Sequence, residues 1–115
     1  MSILIKSHAT HDLTSKRYAN IISDLTNFLG GKVEAAYIFG SLATNTLHAE
    51  SDIDLIIVKE TKLRFIHRWE EFEAIFDLFP DIDLLVYTPA EFSELISSKD
   101  SPFWRSIATT MKKIV

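Results

Sequence analysis

Ser51-Asp52-Ile53-Asp54-Leu55-Ile56-Ile57-Val58 and Pro80-Asp81-Ile82-Asp83-Leu84-Leu85-Val86-Tyr87 are two versions of one phrase, carboxylates at the head of an apolar run. Both runs are short and rich in β-branched and aromatic residues, which predicts buried strands over 52–58 and 82–87. Side chains alternate along a strand, so Asp52 and Asp54 point to one face, as do Asp81 and Asp83. If the two strands are neighbours, three or four carboxylates converge. Like charges at that range repel, and a half-dehydrated cluster is stable only with some carboxylates protonated or with hard cations among them. Magnesium fits best, because it takes oxygen ligands and keeps positions open for waters and substrate phosphates. A lone Asp-x-Asp is more often a solvated turn; the second copy weakens that reading here.

Working upstream, Val33 to Phe39 is a short apolar stretch that predicts a further buried strand and runs straight into Gly40-Ser41, ten residues before Asp52. A glycine at a strand-to-helix turn permits close backbone approach, a serine adds a hydroxyl, and the free amides of a helix N-terminus bind phosphate oxygens. Donors for phosphate then face ligands for metal. Ser41 to Ser51 is expected to begin with a short helix and loop back. Before it, Tyr18, Ile21, Ile22, Leu25, Phe28 and Leu29 fall on one face of a helix that Gly30-Gly31 ends.

Downstream, Phe65, Ile66, Trp69, Phe72, Ile75, Phe76 and Phe79 predict one amphipathic helix over 63–79, with Arg68, Glu70, Glu71 and Glu73 on its outer face and Pro80 closing it. Thr88-Pro89-Ala90-Glu91 has the pattern of a helix start with a reciprocal cap, for a helix over 89–97. A last helix is expected to carry Phe103, Trp104, Ile107 and Met111 inward. The order of elements argues for an α+β fold, a small sheet with helices packed on it, whose strand directions the pattern leaves open.

At 115 residues the chain is one domain's worth. A net charge of −4 supplies no basic field for polyanions, so direct nucleic-acid binding is not expected. Cysteine is absent, which removes disulfides and thiolate metal sites and makes the cytoplasm the default location. No apolar run reaches the roughly 20 residues of a membrane span, and Met1 to Ser7 does not read as a signal peptide. His8, His11, His48 and His67 lack metal-ligand spacing; His48 alone lies in the loop before Asp52. Lys59, Lys62, Arg64 and Arg68 follow the second strand and suit a solvated helix face better than a triphosphate. Trp69, Phe103 and Trp104 suit core or partner surface better than base stacking.

Phe39-Gly40-Ser41, ten residues, Asp52-Ile53-Asp54, and a further Asp at the head of the next strand in DIDLLVYTPAEF together resemble the minimal nucleotidyltransferases of the DNA polymerase β superfamily. The similarity runs from about Ile21 to the C-terminus. It implies a single nucleotidyltransferase domain over 1–115, with its core from about 10, and a small mixed β-sheet flanked by α-helices. By the same resemblance Gly40 and Ser41 contact the nucleotide triphosphate, and Asp52, Asp54 and Asp83 are the catalytic carboxylates that hold two Mg²⁺ ions. Asp83 is preferred to Asp81 because it directly precedes the apolar run, as Asp54 does. One ion would activate an acceptor hydroxyl and the other would neutralise charge on ATP and the departing pyrophosphate.

Small members of this kind are often paired with a HEPN-domain ribonuclease toxin, and as antitoxin add AMP from ATP to a toxin tyrosine. That pairing implies a heteromeric partner. The family often reads G-S-x-A-R-G, whereas this chain has Thr44 for the arginine and Asn45 for the second glycine. The departure keeps a second reading open, an antitoxin that masks its toxin by contact. A third, transfer to a small molecule or RNA end, has no substrate domain or basic groove to support it.

Overall fold

The computed structural model describes residues 10–40, 53–98 and 100–115, with side chains from residue 19 onward. Four strands form one sheet: β1 (Ala35–Phe39), β2 (Ile53–Val58), β3 (Ile82–Tyr87) and β4 (Lys112–Lys113), in the order β3-β2-β1-β4. β1 runs antiparallel to β2 and β4, and β2 runs parallel to β3. The sheet is therefore mixed, and the α+β fold expected from the sequence is the one observed. A parallel β2-β3 pair requires a crossover, which residues 59–81 supply.

Alternation along the strands gives the sheet two apolar faces. Helix α1 (Thr10–Leu29) covers one, packing Ile21, Leu25 and Leu29 against Ala36, Ile38, Leu55, Ile57 and Val86. Helices α3 (Pro89–Ile96) and α4 (Pro102–Thr110) cover the other, setting Phe92, Trp104 and Ile107 against Ala35, Phe39, Ile56 and Val58. Burial on both sides explains why β2 reads as unbroken Leu-Ile-Ile-Val rather than as alternating apolar and polar residues. α1 ends where Gly31 takes the left-handed conformation (φ 77°) and the Lys32 N–H closes onto the Leu29 carbonyl at 2.9 Å.

The single helix expected over 63–79 is instead a 3-10 helix, Phe65–Phe72, followed by a one-turn helix α2, Ile75–Leu78. Ile66, Trp69, Phe72 and Ile75 recur every three residues, which aligns them at 3.0 residues per turn and would spiral them around an α-helix. Only the inner half of that stripe is buried: Phe72 and Ile75 join the core while Ile66 is 67% exposed.

Arg68, expected on a solvated face, is buried. Its Nε donates to the Leu63 carbonyl at 2.9 Å, Nη1 to the Val86 carbonyl at 3.1 Å, and the two terminal nitrogens to the two Glu91 oxygens at 2.5 and 3.2 Å. The Val86 contact satisfies a carbonyl of β3, an edge strand, where an unpaired group would otherwise invite another chain.

At the head of α3 the expected cap is complete: the Thr88 hydroxyl accepts the Glu91 N–H at 3.3 Å and a Glu91 carboxylate oxygen accepts the Thr88 N–H at 2.9 Å. Phe103, expected inward, is 55% exposed, because adjacent helical residues lie about 100° apart and Trp104 takes the inward position. Beyond α4 the chain extends, and Lys112 and Lys113 pair with Ile38 and Tyr37. Two lysines carry no strand propensity, so β4 has no signature in the sequence. No helix among the described residues is long and apolar enough to cross a membrane.

The Arg68 hydrogen bonds first, and then the Thr88 backbone N–H, hold the Glu91 carboxyl down from 4.5 to about 2. A depressed folded-state value stabilises the fold above the unfolded value and loses that stabilisation as pH falls from about 4.5 toward 2. Solvent screening at a side chain 44% exposed keeps the effect near 1 kcal/mol. Glu91→Gln is expected to lower the melting temperature at pH 7, and the gap from wild type should close as thermal scans are taken down to pH 2.

Candidate active site

β1, β2 and β3 bring three of the candidate residues to one end of the sheet. β1 ends at Phe39, which pairs with Asp54, and Gly40 follows directly. Across the parallel pair Asp54 is in register with Asp83. Adjacent strands lie about 4.8 Å apart, so the two carboxylates leave the sheet as close neighbours on the face covered by α3 and α4. Asp54 is half-buried and Asp83 exposed.

Gly40 sits at φ 69°, and a Cβ built on it would collide with Oδ2 of Asp54. The glycine therefore serves both backbone and site: it turns the chain out of β1 and leaves room for the carboxylate. Gly40→Ala is expected to cost about 1–2 kcal/mol from the left-handed backbone alone and to displace the Asp54 carboxylate besides. Urea denaturation would measure the first effect, and a transfer assay at a temperature where the variant is folded the second.

Ser41 and Asp52, the other candidate residues, lie outside the described residues, as do Thr44, Asn45, His48 and the short helix expected after Ser41. Asp81 is exposed, two residues before Asp83, and precedes β3, whose pairing with β2 begins at Ile82. Among the described residues no three His, Asp or Glu side chains form a metal-holding group. The two described members of the expected triad are nonetheless in register, and two hard carboxylates on adjacent strand ends are donors of the kind that suits Mg²⁺.

The basic residues after β2 leave from the opposite end of that strand. Lys59 pairs with Glu71, Lys62 and Arg64 are exposed, and Arg68 is committed to Glu91, so the described structure turns none of them toward Asp54. Sequence reasoning missed the ion pair of Arg68 with Glu91. A buried arginine has no local signature when its acceptor lies 23 residues further along.

A strand-to-turn glycine thus packs against one carboxylate, with a second carboxylate in register on the parallel neighbour. Residues 19–114 match the family described as Polymerase beta, Nucleotidyltransferase, and the chain belongs to that family. Among solved structures it is similar to a toxin-antitoxin crystallised with AMP-PNP, at 26% identity and a TM-score of 0.50 over 84% of this chain and 71% of that one. It is also similar to two mutant forms of the MntA-HpeT toxin-antitoxin. One has 21% identity and a TM-score of 0.49 over 84% of this chain and 71% of that one. The other has 24% identity and a TM-score of 0.47 over 83% and 69%. No curated protein matches the sequence.

Proposed function

We propose that the chain is a Mg²⁺-dependent nucleotidyltransferase that moves AMP from ATP to a hydroxyl of a partner protein, a tyrosine of a HEPN ribonuclease toxin, and so acts as an antitoxin. One observation carries the chemistry: Gly40, Asp54 and Asp83 lie together at one end of three adjacent strands. Support for the nucleotide and the partner comes from the similarity to a toxin-antitoxin bound to AMP-PNP, an ATP analogue.

In this reading Gly40 and Ser41 grip the triphosphate through backbone N–H and hydroxyl, where an unshielded glycine lets an anion approach the main chain. Asp52, Asp54 and Asp83 would hold two Mg²⁺ ions, which when bound supply acidity to the acceptor hydroxyl and neutralise the triphosphate. The acceptor oxygen attacks the α-phosphorus, the new O–P bond forms, and the bond to pyrophosphate breaks. The packing of Asp54 against Gly40 fixes the carboxylate beside the phosphate-binding turn before substrate arrives, so less order has to be created in the transition state. We take 1–115 as one catalytic domain working in the cytoplasm on a protein rather than on nucleic acid, in keeping with its net charge of −4.

The test is transfer from α-labelled ATP with Mg²⁺, using purified protein and a HEPN-domain toxin encoded beside it or a lysate of its host, with Asp52→Asn as control. A labelled toxin band with wild type and none with the variant is the expected result. Thr44 and Asn45 in place of the usual arginine and glycine favour a second reading, neutralisation by contact. An Asp52→Asn variant that still protects cells from the toxin would establish that reading instead.

A further inference from the structure

Four aromatic rings run in contact from the 3-10 helix to α4. Phe65 stacks on Tyr87 with centroids 5.3 Å apart, Tyr87 meets Trp104 at 5.6 Å, and Trp104 meets Phe103 at 5.4 Å. The middle of this ladder is packed, but its ends are open: Phe65 is 44% and Phe103 55% exposed. Beside it lies a groove of about 500 Å³ lined by Phe65, Tyr87, Glu91, Glu94, Leu95 and Ser98.

The groove is on the same face of the sheet as the carboxylates, since Asp83, Leu85 and Tyr87 alternate with Leu84 and Val86 along β3. Four residues of strand separate Asp83 from Tyr87, about 13 Å. A single partner can therefore touch both places.

The charges in the groove are unequal. Glu91 is committed to Arg68. Glu94, on the next turn of α3 and exposed, has no hydrogen-bond or ion-pair partner among the described residues. Burial and then the Glu91 carboxylate push the Tyr87 phenol above 10.0, so it stays neutral and Glu94 is the uncommitted anion.

The Phe65 ring is engaged by Tyr87 and by the Arg68 guanidinium, 5.9 Å from its centroid, so what it offers the groove is exposed apolar surface beside Glu94. An apolar ligand would leave Glu94 unused and an anion would be repelled by it. A planar guanidinium pairs with a carboxylate through two parallel hydrogen bonds while its stem covers apolar surface, which an ammonium does less well.

We propose that this groove docks an arginine-bearing segment of a partner protein, the guanidinium paired with Glu94 and its stem lying on the exposed surface of Phe65 and Leu95, with apolar neighbours of the arginine resting on Phe103. The inference rests on the protein-acceptor reading only for the identity of that partner. For an acceptor-bearing partner, docking about 13 Å from Asp83 holds the acceptor near the catalytic end without using any group that does chemistry.

The test omits nucleotide and metal, so its outcome is separate from that of the transfer assay. A blocked helical peptide with one arginine flanked by leucines a turn away on either side is titrated into isotope-labelled protein and followed by amide NMR shifts. Saturable shifts at Phe65, Tyr87, Glu94 and Leu95 are expected, weakened about fivefold by citrulline in place of arginine and about tenfold by Glu94→Lys. Glu94→Gln should weaken binding several-fold even if Glu94→Lys folds poorly, and Asp83→Asn should leave it unchanged. No binding at millimolar peptide, equal binding by the Glu94 variants, or shifts centred on Asp54 and Asp83 would overturn the proposal. So would self-association that Glu94→Lys abolishes, which would assign the groove to a second copy of this chain.

Discussion

Asp54→Asn is expected to reduce AMP transfer by more than a hundredfold, and Asp83→Asn to do the same, with both variants folded. Each substitution keeps the shape and removes a charge from a pair set in register at the end of β2 and β3. If those carboxylates hold the cations that neutralise the triphosphate, losing one costs about 3 kcal/mol or more of transition-state stabilisation, and each 1.36 kcal/mol is tenfold in rate. Stability should respond differently. Asp83 is exposed, and its substitution should leave the melting temperature close to that of wild type in the presence of a chelator. Adding millimolar Mg²⁺ with a non-hydrolysable ATP analogue should raise the wild-type melting temperature, because a ligand that binds only the folded state stabilises it by mass action. Both variants should lose most of that rise. A fall in transfer together with an undiminished Mg²⁺-dependent rise would show that the two carboxylates do not hold the cation.

The candidate site was more legible in the sequence than the packing around it, for a physical reason. Asp54, Asp83 and Gly40 stand at the ends of short apolar runs, and a strand delivers its terminal residues to a predictable edge; the repeated phrase then marks two strands as equivalent. Their neighbourhood and direction were not legible, since a parallel β2-β3 pair depends on the path of the crossover between them. The crossover was also where the local reading failed. Phe65 to Phe79 satisfied a helical period loosely, and the spacing of three between Ile66, Trp69, Phe72 and Ile75, visible in retrospect, favours a tighter helix. Lys112 and Lys113 show the opposite case, a strand made by pairing with Ile38 and Tyr37 against the propensity of its own residues. The cap at Thr88 was legible in full because both of its hydrogen bonds close within four residues.

Arg68→Ala is expected to be the most damaging substitution for the fold, costing about 2–4 kcal/mol in urea denaturation, a large part of the stability of a domain this size. Three losses combine. The Leu63 and Val86 carbonyls each lose a donor, and the second belongs to the edge of the sheet. Glu91 loses the bidentate partner that holds its carboxyl at about 2. The Arg68 side chain, 8% exposed, leaves a gap among the 3-10 helix, β3 and α3. Glu91 is 44% exposed and can rehydrate, which puts the cost below that of a fully buried pair. Arg68→Lys should retain roughly half the stability difference, since a single ammonium cannot serve two carbonyls and both carboxylate oxygens with the same geometry. Arg68→Met paired with Glu91→Gln separates packing from charge. If the double variant recovers most of the loss seen in Arg68→Ala, the interaction is chiefly a charge that must not be stranded. If it does not, the hydrogen bonds to Leu63 and Val86 are what tie the crossover to the sheet. In either case transfer by the folded fraction should fall far less than with Asp54→Asn, because Arg68 meets β3 near Val86, at the end away from Asp83.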